Sequence, residues 1–342
     1  MHKKFNLAIV GATGFVGQSV LTILQQRKFP IKHLYLLASE RSSGETMEFN
    51  KQALIVSDLD GFDFKQADIA IFTAGSAVSA EYVPKATQKG CLVIDNTPQF
   101  RYDNDVPLVI PEVNPQALAG YKKRCIIANP NCSTIQMLVA LKPIYDAVGI
   151  TRINVVTFQS VSGAGKAAFH ELIQQAGQLL NGLPIKQPKA FTQQIAFNVI
   201  PHIDEFEKNG YTREEMKMVW ETQKIFADQE IQVNPTAVRV PVFHGHSEAV
   251  HIETKKKISA NQAKQLLKKA PGVLVIDKLA NNGYPTPISH LDSDKVMVGR
   301  LREDISYPLG LDMWIVADNI RKGAALNAIQ IAEIMIQDYW IS

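Results

Sequence analysis

Cysteine is scarce in this 342-residue chain. Only Cys91, Cys125 and Cys132 occur, an odd number with no Cys-x-x-Cys pair, which argues against a disulfide framework and against a zinc cage, so no metal is expected. Neither sign of charge dominates. Lys and Arg number 36 against 33 Asp and Glu, a formal charge of +3, which leaves no nucleic-acid footprint; the short cluster Lys255 to Lys257 reads as a solvated strand end. Long hydrophobic runs are missing too. No stretch approaches the ~18 apolar residues of a membrane span, and the run Phe5 to Val10 breaks at Gly11 before it could serve as a secretory segment. Repeats and low-complexity tracts are absent, as is the GxxxxGK[ST] spacing of a nucleoside-triphosphate loop. These absences predict a cytoplasmic protein with neither a membrane nor a nucleic-acid partner. A 46% hydrophobic, 20% charged composition at this length fits a soluble chain of two domains.

From residue 5 to about 130, short apolar runs alternate with helical stretches, the signature of a parallel sheet wrapped by helices. Strands are predicted at Phe5 to Val10, His33 to Leu37, Ile69 to Thr73, Cys91 to Asp95 and Cys125 to Asn129. A helix over Gly14 to Arg27 follows from Val16, Val20, Leu21 and Leu24 at helical spacing. After Gly149 the pattern becomes mixed. Strands are expected at Ile153 to Ser162, Val238 to Phe243, Ala249 to Lys255, Val296 to Leu301 and Met313 to Ala317, with a helix at Lys166 to Leu180 and a packed closing helix at Ala324 to Tyr339. The fold class is therefore α/β, a Rossmann-type parallel-sheet dinucleotide-binding domain joined to a mixed α+β domain.

The first strand ends in Gly11-Ala12-Thr13-Gly14-Phe15-Val16-Gly17, a glycine-rich turn that opens a helix. Glycines there allow a tight turn and close approach of backbone to a pyrophosphate, which the helix N-terminus attracts. The second strand runs into Ser39-Glu40-Arg41-Ser42-Ser43-Gly44. An arginine fork with flanking hydroxyls suits a 2'-phosphate, so Ser39, Arg41 and Ser42 favour NADP over NAD; Glu40 is the contrary signal, and a plain solvated loop is the alternative.

Ile127-Ala128-Asn129-Pro130-Asn131-Cys132-Ser133-Thr134 leads from a strand through a turn into a helix, with the cysteine at the junction. Unpaired N–H groups and the helix dipole at that position lower a thiol pKa from about 8.5 toward neutrality, and the thiolate is the nucleophile. A small buried apolar residue is the competing reading of Cys132. A thiolate, a nicotinamide cofactor and a phosphate-binding arginine together suggest oxidation of an aldehyde, or the reverse reduction of an acyl phosphate, through a thioester.

Over essentially its whole length the chain resembles the aspartate-semialdehyde dehydrogenase family, through GATGFVG, SERSSG, DNTPQFRYDNDVPLVIPEVN, NPNCSTIQ, FQSVSGAGK, ETQKI, RVPVFHGHSEAV and DNIRKGAALNAIQIA in that order. The resemblance implies NADPH-dependent reduction of L-aspartyl 4-phosphate to aspartate semialdehyde with release of phosphate, a step toward lysine, threonine and methionine. It also implies a homodimer, an NADP-binding domain of residues 1–130 plus 319–342, and a catalytic and dimerisation domain of residues 131–318. By the same resemblance Cys132 is the nucleophile, His246 rather than His244 is the proton-transfer residue, and Gln159 orients the thioester. Arg239 would hold the α-carboxylate and Glu221 the α-ammonium, with Arg101, Lys224 and Asn131 around the phosphate. Ser162, Gly163 and Asn319 would lie along the nicotinamide, and Gly11, Thr13, Gly14, Phe15 and Val16 along the rest of the cofactor. Without the motif, Glu221 and Lys224 read equally well as a surface ion pair three residues apart on a helix, and Arg101 as a solvated loop arginine. N-acetyl-glutamyl-phosphate reductase and a non-catalytic homologue are the rival readings.

Overall fold

The computed structural model describes residues 3–339 and divides into two compact units, Met1–Asn131 with Ala324–Ser342, and Cys132–Gly323. The sequence boundaries at 130/131 and 318/319 fall short of these. Asn319 belongs with the second unit because its side chain is bonded there, to Ser160, Ser162 and Gly245.

In the first unit β1 (Phe5–Val10) feeds α1 (Phe15–Gln26), and the chain continues through β2 (Ile31–Ala38), β3 (Thr46–Phe49), β4 (Gln52–Asp58), β5 (Ile69–Phe72), α2 (Ser76–Gln88), β6 (Leu92–Asp95) and β7 (Ile126–Ala128). The sheet order is β3-β4-β2-β1-β5-β6-β7, with every pair parallel except the β3–β4 hairpin. Its central strands carry unbroken apolar runs because both faces are covered; Leu7, Ile9, Ile69, Ile71 and Ile94 have no exposed surface. The β3–β4 hairpin went unpredicted. Its turn is Asn50-Lys51, both at positive φ (51° and 64°), so the backbone is that of a tight hairpin turn without the glycine that usually announces one.

The second unit begins with α3 (Cys132–Val148) and runs through β8 (Ile150–Gln159), α4 (Lys166–Leu180), α5 (Arg213–Phe226), β9 (Gln232–Arg239), β10 (His246–Thr254), α6 (Ala260–Lys269), β11 (Val273–Val275), β12 (Val296–Glu303) and β13 (Gly310–Ala317). These strands form a mixed sheet, β11-β12-β13-β10-β8-β9. Helix α3 packs on one face of it, while Val156 and Ala249 are exposed on the other. The strand expected at Val238 to Phe243 lies earlier, at β9. Pro235 sits inside β9, which is an edge strand, where a missing N–H is tolerated. The chain then returns to the first unit as α7 (Leu326–Ile334), inside the expected closing helix. Asn327 Nδ2 donates to Asn129 Oδ1 (2.6 Å) and to the Val109 carbonyl (3.0 Å), and Glu333 pairs with Arg27 (2.6 Å).

Candidate active site

At the carboxyl ends of β1, β2 and β4 lies a cleft of about 520 Å³. Gly11, Thr13, Gly14, Ser39, Arg41 and Ser42 line it, all of them sequence-predicted cofactor residues. Gly11 has φ 86°, and a Cβ there would meet Ala74 N and Thr73 Oγ1 at 2.9 Å, so the turn demands glycine. Gly17 is equally constrained, since a Cβ would sit 2.4 Å from the Gly11 carbonyl and block the packing of α1 on the turn. Phe15 and Val16 are the first residues of α1. They do not line the cleft, and what they offer a pyrophosphate is backbone N–H. Asp58 and Asp60 also line it, and Asp60 accepts from Tyr82 Oη (2.9 Å).

Near the ends of β6 and β7 the first unit carries Arg101 and Asn131, both buried. Arg101 donates to the Asn96 carbonyl (2.7 Å) and shares its charge with buried Asp95, which is itself held by Ser79 and Thr97. Its burial and fixed geometry separate Arg101 from an ordinary solvated arginine.

Cys132 is the first residue of α3 and is half-buried. Gly323 packs directly on it; a Cβ at that glycine would come within 2.8 Å of Cys132 Cβ. In the same unit Arg239, at the end of β9, is close enough to couple electrostatically with the thiolate, and its Nη1 donates to the Ser160 carbonyl (2.7 Å). Burial draws the guanidinium pKa down, with Glu214 and Cys132 opposing that trend.

His246 opens β10 with no exposed surface. The Ser160 backbone N–H donates to its Nδ1 (3.1 Å), so Nδ1 is the acceptor and Nε2 carries the proton. Nε2 is buried and has no hydrogen-bond partner among the described residues. Burial, and then the neighbouring Arg239 charge, push the His246 pKa down to about 3, not near neutrality as the sequence suggested. The ring is therefore a neutral N–H donor at physiological pH. Gly163 passes over both groups; a Cβ on it would lie 3.1 Å from His246 Nε2 and 3.2 Å from Arg239 Nη1. Ser162 and Asn319 are bonded to one another and, through Ser160, to the histidine, so they brace this corner. His244 is only half-buried, beside Phe169.

Gln159 ends β8 and donates to Glu214 Oε1 (3.1 Å) and Thr157 Oγ1 (3.3 Å). Glu214 pairs with Lys217 (3.0 Å), and Lys217 with Asp204 (2.8 Å). Burial opposes the charge on Lys217, but Glu214 and Asp204 outweigh it and raise the pKa. The pair assigned from the resemblance, Glu221 and Lys224, lies further along the same helix. Both pairs have the Glu-x-x-Lys spacing on α5 and, seven residues apart, share one face, yet they stand about 10 Å apart along the axis. Glu214 of the first pair reaches Gln159, and Glu221 of the second has no exposed surface. Its neighbour Glu215 is committed elsewhere, to a capping box with Thr212 and to the Ala237 N–H. Thr212-x-x-Glu215 marks the helix start and leaves Glu214 in the first turn.

Residues 6–121 match the family model for "Semialdehyde dehydrogenase, NAD binding domain", and residues 141–322 that for "Semialdehyde dehydrogenase, dimerisation domain". Aspartate-semialdehyde dehydrogenase of Legionella pneumophila is 62% identical over 340 residues, 99% of this chain and 98% of that protein. The crystal structure of aspartate semialdehyde dehydrogenase II of Vibrio cholerae complexed with ASA aligns with a TM-score of 0.96 at 57% identity, covering 98% of this chain and 99% of that one. The enzyme of Candida albicans with NADP aligns at 0.75 and 26% identity, covering 98% and 99%. With its glycine turn, its helix-end cysteine and both family domains in order, the chain belongs to the aspartate-semialdehyde dehydrogenase family.

Proposed function

We propose that the protein reduces L-aspartyl 4-phosphate to L-aspartate 4-semialdehyde with NADPH, through a thioester on Cys132, as a homodimer. The observation that carries this reading is a half-buried cysteine at a helix N-terminus in the same unit as Arg239 and a neutral, unpartnered imidazole N–H. The Cys132 thiolate attacks the acyl carbon; the C–S bond forms and the C–O bond to phosphate breaks. When bound, NADPH supplies the hydride that converts the thioester carbon to the aldehyde level. His246 Nε2–H donates to the carbonyl oxygen as it gains charge, and collapse of that oxyanion expels the thiolate, so the sequence closes without a net proton on the ring. Arg239 holds the α-carboxylate, Glu221 the α-ammonium, and Lys224, Arg101 and Asn131 serve the phosphate. The uncovered apolar face of the second sheet, around Val156, Ala249 and Trp314, suits the dimer contact.

A phosphate-dependent assay with aspartate semialdehyde and with N-acetylglutamate semialdehyde tests the substrate. Turnover of the second but not the first defeats the proposal. Within the site, Glu221→Gln is expected to raise the KM for aspartate semialdehyde about tenfold or more; a KM within a factor of two of the wild type removes Glu221 from the ammonium pocket.

The residues around the cleft fit a 2'-phosphate. Arg41 is exposed on its rim with Ser39 and Ser42 beside it. Arg41→Ala is expected to raise the KM for NADPH about tenfold or more while changing that for NADH little, because only the phosphate needs the guanidinium. Asp58 and Asp60 favour the second reading, a ribose hydroxyl and NAD. A wild-type preference for NADH selects it.

A further inference from the structure

Glu248 lies two residues beyond His246 on β10, so their side chains leave the same face of the sheet. It has no exposed surface, and neither carboxyl oxygen has a hydrogen-bond partner of good geometry among the described residues. The side chain facing it is Gln136, equally buried, whose own Oε1 is likewise unpaired. Gln136 is one helical turn after Cys132 on α3, and its Nε2 points at the His246 backbone carbonyl (3.5 Å).

We propose that Glu248 is a positioning residue for the thioester reaction: its carboxyl group completes a chain through the Gln136 amide to the His246 carbonyl, holding the first turn of α3, and with it Cys132, in place beside the histidine. The inference rests on the reading of Cys132 and His246 as the reacting pair. An ionised carboxylate here would be a buried charge with no cation beside it, and burial accordingly pushes the carboxyl pKa far up, so the group is a neutral acid. A neutral acid has what the surroundings lack, an O–H donor for Gln136 Oε1. The two hydrogens of Gln136 Nε2 then serve the other Glu248 oxygen and the His246 carbonyl, and each orphaned oxygen of the pair is satisfied. The carboxyl group touches neither substrate nor cofactor; it acts through the two residues that do.

The test measures kcat and KM on the intact enzyme for Glu248→Ala, Glu248→Gln, Gln136→Ala and the double alanine variant. Glu248→Ala is expected to lower kcat about tenfold or more with the KM for aspartate semialdehyde within a factor of two, since Arg239 and Glu221 are untouched. Glu248→Gln, isosteric with the acid and able to donate, recovers most of that loss. Gln136→Ala shows a similar fall in kcat, and the double variant is no worse than the poorer single one. Unchanged kcat in Glu248→Ala, no recovery in Glu248→Gln, or additive losses in the double variant overturns the inference. Should Glu248→Ala fail to fold, the Glu248→Gln and Gln136→Ala values decide, and unchanged kcat in Gln136→Ala overturns it. A Cys132→Ser control separates the levels. An active control defeats the thioester reading itself, whereas an inactive control beside a fully active Glu248→Ala defeats only the role of Glu248.

Discussion

Cys132→Ser is expected to lose at least about 10²-fold in turnover while keeping its fold. A serine hydroxyl without a strong base is a far poorer nucleophile than a thiolate, and an ester is a poorer hydride acceptor and leaving group than a thioester, so both halves of the reaction slow. The position makes the loss specific. A helix N-terminus and the Arg239 charge favour an anion at residue 132, and neither helps an un-ionised hydroxyl. The three thiols of the wild type should also separate in alkylation. Cys91 is fully buried and its pKa is pushed up by that burial, next by Asp68, so it labels slowly. Cys132 labels fast and is protected by substrate. Near-normal turnover of the serine variant, or equal slow labelling of all three thiols, contradicts the thioester route.

Replacing His246 separates two kinds of catalysis. If the ring works as a neutral N–H donor, His246→Gln, whose amide nitrogen reaches about as far as Nε2, retains part of the rate, while the shorter His246→Asn loses about 10² to 10³, the usual effect of removing one oxyanion donor. Equal collapse of both variants would show that proton transfer is indispensable. The same residue leaves a signature in stability. Its folded pKa of about 3 lies below the value of about 6.5 for an unfolded histidine, so between those values the unfolded chain binds the extra proton. Stability contributed by neutral His246 is therefore full above pH 6.5 and is lost as pH falls toward 3, by up to about 1.4 kcal/mol per pH unit. Urea titrations from pH 7 to pH 4 on wild type and His246→Gln measure it. Parallel pH dependences in the two proteins would mean that the ring is not held neutral.

The sequence carried the nucleotide-binding half of the fold well, because parallel strands buried on both faces read as short apolar runs and β1 is bounded where expected. Irregular chemistry was harder to see. Asn50-Lys51 turns like a glycine pair but does not look like one, and Pro235 conceals a strand that only its edge position makes possible. In the site, residues fixed by a short distinctive neighbourhood, Cys132 and His246, were legible. Along α5 the Glu-x-x-Lys spacing occurs twice, at Glu214 and Lys217 and at Glu221 and Lys224, because an amphipathic helix repeats its face every seven residues, so spacing alone does not choose between them. Nor does periodicity reveal which face meets Gln159; that takes the pairing of β8 with β9 and the packing of α5 on β9. The protonation state of His246 was out of reach for a similar reason, since it depends on total burial and on one backbone N–H eighty-six residues away in sequence.

Pro235 also bears on how this chain can associate. A sheet border is a template for further strands, and β9 closes its own: the Ala237 N–H is held by Glu215, the Arg239 N–H by the Ile200 carbonyl, and Pro235 has none to offer. Lateral stacking of copies, the route to fibres and precipitates, is thereby discouraged at that border.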